Sequence, residues 1–269
     1  MPNTPGTPIW FELNTPAQAA AQDFYAAVTG WAIAPSPMAE HGGYLIANAV
    51  DGVSVAGIMT PPPEAPAFGG WSIYFASADV DADANRVQAL GGSLHFGPMD
   101  IPGIGRFAVV ADPQGVVFFL MRGASPEDSQ AFRQGSDAAN HGHAVWIELA
   151  TPDPDGAFGF YGELFGWDKA GAMPMGDMGE YAFIGTHDAK TWANGEPMRP
   201  GAVMSSAKTG APARWNWYVY VPDIDAAIAT AKAKGGELIQ GPDQIPGGDY
   251  SANITDPQGN QCGLVGPRK

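Results

Sequence analysis

The chain has 269 residues, of which 45% are hydrophobic and 15% charged, and this composition is typical of a folded globular protein long enough for two domains. A formal net charge of -15 argues against nucleic acid or an anionic membrane as a partner. The single cysteine, Cys262, excludes an intramolecular disulfide and a cysteine-based zinc site. No apolar run approaches about 20 residues and no signal pattern begins the chain, so we expect a cytoplasmic protein.

The first predicted strand alternates with a period of two. Phe11 and Leu13 face one side of it, and Trp10 and Glu12 face the other. An alanine-rich helix over residues 17–28 follows, with an apolar stripe against which Phe11 and Leu13 can pack. The alternation therefore leaves Trp10 and Glu12 on the face of the sheet opposite the helix, which we call the open face.

The rest of the first half of the chain is predicted to contain short strands, tight turns and one further helix. Asp51-Gly52 is a hairpin signal, and Asp112-Pro113-Gln114-Gly115 is a turn with proline at its second position and glycine at its end. The predicted strands are 44–47, 53–59, 71–76, 93–96, 105–110 and 116–121, and the predicted helix is 80–90.

The second half of the sequence repeats the first. The string W-F-E-L-N-T-P at Trp10 returns as W-I-E-L-A-T-P at Trp146, 136 residues later, and the D-P-Q-G turn at Asp112 returns at Asp256, 144 residues later. The difference between these spacings predicts an insertion in the second copy, within residues 173–200. We predict a first domain over 1–124, a linker over 125–140 and a second domain over 141–269.

Four half-units of the form strand, helix, three strands, with D-P-Q-G before the last strand of each copy, resemble the vicinal oxygen chelate superfamily of glyoxalases, bleomycin resistance proteins and extradiol dioxygenases. The sequence is most similar to tandem glyoxalase-like proteins, whose copies begin with W-x-E-L-x-T-P and end the first helix with F-G-W, here Phe165-Gly166-Trp167. The resemblance implies an α+β fold of two tandem glyoxalase-like domains. Each domain would contain two βαβββ modules that form an incomplete barrel around a concave cavity.

Metal-dependent members of that superfamily hold a divalent ion in the cavity. Carried over by the resemblance, the ligand positions fall on three pairs of residues, one of each pair in each copy: Trp10 and Trp146, Ser72 and Asn216, and Phe119 and Gly263. Indole, phenyl and glycine offer no lone pair to a divalent ion. We therefore predict no cofactor, with a divalent metal as the alternative.

Glu12 and Glu148 lie two residues from the first-strand ligand positions and share their face. Each is a candidate catalytic residue, a polar anchor or general base at the bottom of an aromatic cup. The alternative is structural, with each carboxylate accepting hydrogen bonds from backbone or tyrosine groups. The candidate ligand-binding residues are Trp10, Ser72, Tyr74, Phe119 and Met121 in the first copy and Trp146, Asn216, Tyr218, Tyr220 and Gln261 in the second.

These residues predict a protein that binds a small organic molecule in an aromatic-lined pocket, and the more polar second copy is the better candidate for the working site. The alternative is an enzyme of the same superfamily. It would be a lyase or isomerase of the lactoylglutathione lyase type with Glu12 or Glu148 as base, or a dioxygenase with ligands such as His141 and His143. We expect a monomer or weak homodimer, because the duplication can supply both copies within one chain.

Overall fold

The computed structural model describes residues 3–38, 41–61, 69–135, 137–187, 191, 195 and 197–269. Each half of the chain contains two modules of one strand, one helix and three strands. The first module contains β1 (Pro8–Asn14), α1 (Gln18–Thr29), β2 (Ala32–Pro35), β3 (Leu45–Asn48) and β4 (Ser54–Met59). The second contains β5 (Gly70–Ala76), α2 (Val80–Ala89), β6 (Ser93–Ile101), β7 (Gly105–Ala111) and β8 (Val117–Gly123).

The second copy has the same order of elements. Its first module contains β9 (Ala144–Thr151), α3 (Pro154–Phe165), β10 (Asp168–Pro174), β11 (Glu180–Gly185) and β12 (Gly201–Ser205). The short helix α4 (Ser206–Thr209) leads to the last module, which contains β13 (Arg214–Tyr220), α5 (Ile224–Ala233), β14 (Glu237–Gln244), β15 (Tyr250–Thr255) and β16 (Gln261–Gly266). No helix among the described residues has the length and apolar character needed to cross a membrane.

The strands form two eight-stranded sheets, with the orders β2-β3-β4-β1-β5-β8-β7-β6 and β10-β11-β12-β9-β13-β16-β15-β14. Within each module the first strand runs parallel to the last. Phe11 on β1 lies opposite Ala56 on β4, and Tyr218 on β13 lies opposite Gly263 on β16. The other neighbours within the modules are antiparallel. The predicted α+β fold of two tandem domains, each of two βαβββ modules, is confirmed, and neither sheet of the described residues closes into a barrel.

Local sequence explains where the helices begin and end. The Asp79 carboxylate accepts a hydrogen bond from the backbone N–H of Ala82 and caps α2, and Asp223 caps α5 in the same way. Gly30 and Gly166 end α1 and α3 in the left-handed conformation, each with a φ of 76°. The predicted insertion agrees with the bounds of the strands on either side of it. The interval between β11 and β12 is residues 186–200, whereas the corresponding interval between β3 and β4 of the first copy is residues 49–53.

The chain divides into two compact units that each take parts of both copies. The first compact unit contains Met1–Ile9, Ile73–Ser129 and Ile147–Trp215, and the second contains Trp10–Ser72, Gln130–Trp146 and Asn216–Lys269. The predicted boundaries of 1–124, 125–140 and 141–269 follow the sequence repeat and stay a prediction.

A buried tyrosine joins the two copies within each compact unit. In the second unit the Tyr25 hydroxyl donates to Asp256 over 3.2 Å and accepts from Trp71 Nε1 over 2.8 Å. In the first unit Tyr161 donates to Asp112 over 3.1 Å and accepts from Trp215 Nε1 over 3.0 Å. Burial raises the pKa of both tyrosines well above the usual value, which keeps them protonated donors. The repeated F-Y and D-P-Q-G strings therefore have a structural role.

Candidate functional site

The open face of the first module carries a hydrogen-bonded chain that ends at Glu12. Trp10 Nε1 donates to the Tyr44 hydroxyl over 2.8 Å, and Tyr44 donates to Glu12 Oε2 over 2.9 Å. Burial, and then the nearby Glu12 carboxylate, raise the pKa of Tyr44 well above its usual value. Tyr44 lies over Gly57, where a Cβ would overlap the phenol. The carboxylate is thus held by the tyrosine partner that the structural alternative expects, and its catalytic role stays a prediction.

Glu148 has the same arrangement in the third module. The Tyr181 hydroxyl donates to Glu148 Oε2 over 2.7 Å, and only 8% of the Glu148 surface is exposed. Phe183 follows Tyr181 on the same side of β11, with the two rings edge to face at 6.0 Å. The Arg199 guanidinium lies over Phe183, 4.7 Å from the ring centre. Here the buried carboxylate lies on a face that also holds aromatic rings and a cation.

Four buried or half-buried polar residues of the last module form what we call the amide cluster, which consists of Asn216, Tyr218, Asn253 and Gln261. Asn216 Nδ2 and Gln261 Nε2 both donate to Asn253 Oδ1, over 2.8 and 3.2 Å. Asn253 Nδ2 in turn lies 3.3 Å from the Tyr218 hydroxyl. The cluster contains no charged group, and its amides provide both donors and acceptors, so it suits carbonyl and hydroxyl groups of a neutral ligand.

Strand register explains why the amide cluster forms. Gly263 on β16 lies opposite both Tyr218 on β13 and Asn253 on β15. Because Gly263 has no side chain, the Tyr218 ring can lie across it, and a Cβ at this position would overlap the ring. The tyrosine hydroxyl thereby reaches the Asn253 amide on the far strand.

The corresponding positions of the first copy are mostly apolar. Tyr74 lies opposite Phe119 on the neighbouring strand, and their ring centres are 4.5 Å apart. Tyr74, Phe119 and Met121 are buried, with 5%, 5% and 8% of their surface exposed, and Ser72 is half-buried. Asn253 and Gln261 correspond, 144 residues earlier, to Val109 and Val117. The two copies therefore differ in polarity, as the sequence predicts.

Trp146 and Tyr220 extend the apolar surface beside the amide cluster. Tyr218 and Tyr220 form a buried cluster with Val145 and Val265, and Trp146 packs against it. Burial raises the pKa of Tyr220, so its phenol stays protonated at neutral pH. All five predicted ligand-binding residues of the second copy belong to one compact unit, whereas Glu148 belongs to the other.

Among the six residues at the superfamily's ligand positions, Trp10, Phe119 and Gly263 offer no side-chain ligand atom to a divalent ion. The Trp10 indole donates to Tyr44, Phe119 is stacked on Tyr74, and the position of Gly263 is covered by the Tyr218 ring. No group of three or more His, Cys, Asp or Glu side chains in the described part of the chain could hold a metal. Function without a cofactor stays a prediction, and metal analysis of the purified protein tests it.

His141 and His143, the alternative metal ligands, have different surroundings. His143 is fully buried, with Nδ1 2.7 Å from the Gln130 carbonyl oxygen and Nε2 3.1 Å from Asp51, which also pairs with Arg133. Burial lowers the pKa of His141, whose ring lies beside Gly30. Both ring nitrogens of His143 already have protein partners, so its geometry favours a structural role over metal binding.

A shallow surface cavity of about 260 Å³ lies elsewhere, at the β6–β7 turn and the end of β8. Its lining includes Ile101, Arg106 and Arg122 and none of the predicted site residues. Arg106 is ion-paired with Asp81 and Asp100. This cavity therefore has no connection with the chemistry of the open faces.

Sequence comparison identifies the family of the chain. The model of the Glyoxalase/Bleomycin resistance protein/Dioxygenase superfamily matches residues 8–120 and 143–264. The chain belongs to this superfamily. The two matched stretches correspond to the two copies of the repeat, so each copy is a glyoxalase-superfamily domain and the predicted tandem is confirmed.

Relatives in this superfamily are similar over nearly their whole length. A Mycobacterium tuberculosis protein with the provisional name glyoxylase CFP32 is 34% identical over 266 residues, which cover 97% of this chain and 95% of the relative. Anthracycline biosynthesis protein DauV of Streptomyces sp. (strain C5) is 32% identical over 275 residues, 97% of this chain and 93% of the relative. The Mn(II)-bound glyoxalase from Novosphingobium aromaticivorans has a TM-score of 0.63 at 17% identity, over 99% of this chain and 84% of that one, a likeness of fold alone.

Four residues of the candidate site were not predicted from the sequence. Tyr44 and Tyr181 hold the two glutamates, Asn253 lies at the centre of the amide cluster, and Arg199 covers Phe183. The recurrence of a tyrosine 32 or 33 residues after each glutamate was a signal for the first two. Asn253 and Arg199 carry no such signal, because their contacts depend on which distant strand lies beside them.

Proposed function

We propose that the protein binds a small organic molecule on the open face of its second copy, without a divalent ion. The observation that supports this proposal is the amide cluster, in which Asn216, Asn253 and Gln261 are hydrogen-bonded to one another. The corresponding residues of the first copy are Ser72, Val109 and Val117. Buried amides cost free energy unless they are hydrogen-bonded, whereas the valine side chains of the first copy carry no such cost. A buried polar network at this place therefore favours a binding role for the second copy.

Aromatic side chains beside this cluster favour a flat ligand. Trp146, Tyr218 and Tyr220 belong to one packed group, and such rings stack on planar molecules while a few polar groups fix their orientation. One relative is named for anthracycline biosynthesis. We therefore propose a polycyclic aromatic compound with carbonyl and hydroxyl substituents as the ligand class.

Fluorescence titration tests the proposal. An anthracycline is added to the purified protein, and quenching of tryptophan emission gives Kd with and without a chelator. Asn253→Val introduces the residue of the first copy. We expect it to weaken binding about tenfold, equivalent to about 1.4 kcal/mol, because the hydrogen bonds from Asn253 to the ligand and to Tyr218 are lost. Ser72→Ala in the first copy is the matched control. Equal affinity of Asn253→Val and the wild type contradicts the proposal, and dependence on added metal contradicts the metal-free site.

A second candidate function is a lyase or isomerase of the lactoylglutathione lyase type. It is supported by the buried Glu148 with its Tyr181 partner, a carboxylate that could remove a proton from a bound substrate, and by the relative provisionally named glyoxylase. Turnover of the methylglyoxal–glutathione hemithioacetal, with and without Mn²⁺, tests it. Glu148→Gln should lower kcat about 100-fold, whereas Glu163→Gln, at an exposed position, should not. No turnover by the wild type rules out this activity.

A further inference from the structure

Arg199 is a cation without an anionic partner in the part of the chain that the structure describes. Its side chain is half-buried, its Nε is buried without a hydrogen-bond partner, and it belongs to no ion pair among the described residues. The chain has 28 acidic and 13 basic residues, so acidic partners for an arginine are abundant. Partial burial of an unpaired guanidinium costs free energy that a bound anion would offset.

The sheet presents Arg199 on the open face of the third module. Ala182 and Ile184 are buried, with 3% and 0% of their surface exposed, so Tyr181 and Phe183, which alternate with them along β11, point to the opposite face. In the strand register Phe183 lies opposite Ala202, which lies opposite Glu148. The ring beneath Arg199 therefore shares its face with the candidate residue Glu148.

Stacking on Phe183 fixes how the guanidinium can bind. The ring lies 4.7 Å from the guanidinium carbon and covers one face of the group. Because Nε is buried, the donors left for a ligand are the N–H groups of the two terminal Nη atoms, which lie in the guanidinium plane and can donate two parallel hydrogen bonds to a carboxylate. Tyr181, edge-on to Phe183, supplies more aromatic surface for the body of a ligand.

We propose that Arg199 and Phe183 form a subsite for the carboxylate of a flat, conjugated organic molecule. The subsite belongs to the second copy alone. The first copy has Ile46 at the position of Phe183, since Ile46 lies opposite Gly57 as Phe183 lies opposite Ala202. Gly57 thus corresponds to Ala202. Ser54 lies three residues before Gly57, as Arg199 lies three residues before Ala202, so Ser54 is the counterpart of Arg199.

This subsite is independent of the amide cluster. Arg199, Tyr181 and Phe183 belong to the first compact unit, and the amide cluster belongs to the second. A carboxylate probe that contacts only Arg199 and Phe183 therefore tests the subsite whether or not the proposed ligand class is correct.

The test uses benzoate as the anionic probe and benzamide as its neutral isostere. A fragment of this size has a Kd on the order of 10 mM, within the range of an NMR titration that follows arginine Nε–H signals. We expect benzoate to shift the arginine Nε–H signal that is missing in Arg199→Gln. The affinity of that variant is followed through the ring-proton signals of benzoate itself, and we expect it to be about tenfold weaker. Arg199→Lys should recover only part of the affinity, because it keeps the charge and loses the planar pair of donors.

Arg268→Gln is the matched control. Arg268 also lies over a ring, 5.2 Å from the centre of Tyr250, but its Nε already donates to Asp225 over 2.7 Å. This control should bind benzoate as the wild type does, and urea unfolding confirms that each variant is folded. Equal binding of benzoate and benzamide, equal binding by Arg199→Gln and the wild type, or no saturable shift with benzoate would each overturn the proposal.

Discussion

Tyr25 and Tyr161 are the residues on which both compact units depend. Each hydroxyl donates to the aspartate of a D-P-Q-G turn in the other copy and accepts from a tryptophan indole. Removal of such a hydroxyl takes one donor from the aspartate and the acceptor from the indole, which costs about 1–3 kcal/mol in total.

Tyr25→Phe is expected to lower the free energy of unfolding by about 1–3 kcal/mol, because Trp71 Nε1 loses its acceptor and Asp256 loses one donor. Urea denaturation followed by tryptophan fluorescence measures the change. Tyr250→Phe is the control, since the Tyr250 ring is half-buried and contacts Arg268 through its face. A similar loss in both variants would mean that the hydroxyl hydrogen bonds are not the cause.

Asp112 should give a pH-dependent contribution to stability. Burial raises its pKa above the ordinary value, although the Val116 backbone N–H and the Tyr161 hydroxyl oppose the rise. A carboxyl with a raised folded-state pKa favours folding most below its unfolded-state pKa, and this contribution is lost as pH rises through the folded-state value. The stability of the wild type relative to Asp112→Asn should therefore fall as pH rises from about 4 towards neutrality.

Urea denaturation of both proteins at several pH values measures this difference. Asp128→Asn, at an exposed position, is the control for removal of a carboxylate. A difference between wild type and Asp112→Asn that grows with rising pH would contradict the expectation.

At the level of elements, parallel pairing of the first and last strands of a module decides what the open face carries. In the last module this pairing sets Tyr218 beside Gly263, and in the second module it sets Tyr74 beside Phe119. One small residue therefore decides whether the tyrosine lies flat across its neighbour and reaches Asn253, or stacks on another ring.

Gly263→Ala is expected to displace the Tyr218 ring, because the new Cβ would overlap it. Such overpacking costs about 1–3 kcal/mol and should also weaken binding of the anthracycline probe. Gly123→Ala is the matched control, since a Cβ at the end of β8 meets no heavy atom within 4 Å. Stability and affinity are measured by urea denaturation and fluorescence titration, and unchanged values for Gly263→Ala would refute the role of this contact.

At the level of the whole molecule, the compact units do not follow the repeat. Each unit takes residues from both copies, and the buried tyrosine pairs cross between the copies within it. A single copy therefore contains a tyrosine with its tryptophan partner, but the aspartate to which that tyrosine donates lies in the other copy.

Fragments 1–124 and 141–269, made separately, should each lack a cooperative unfolding transition, because the aspartate partner of Tyr25 and the tyrosine partner of Asp112 lie on the other fragment. An equimolar mixture should recover cooperative unfolding and the circular dichroism of the intact chain. Tyr25→Phe and Tyr161→Phe in the mixture should weaken association. Independent, stable folding of both fragments would show that the copies are self-sufficient domains.

Much of the architecture was accessible from the sequence. The predicted helix over residues 80–90 corresponds to α2 (Val80–Ala89), and the D-P-Q-G turn stands before β8 as expected. By contrast, β6 extends to Ile101, past the predicted end at residue 96, since a register shift lets it continue beyond Gly97 and Pro98. The residues proposed for the candidate site stay a prediction, and their contacts with Tyr44, Tyr181, Asn253 and Arg199 were not predicted.

The sequence by itself determined the modules, the tandem repeat and the residues of the open face, because alternation, helix caps and glycine turns act over a few neighbouring residues. Only the tertiary structure decided that tyrosines hold Glu12 and Glu148, that Asn253 joins Asn216 to Gln261, and that Arg199 lies over Phe183. These contacts join residues on different strands, and strand order and register, which place them side by side, are properties of the whole sheet.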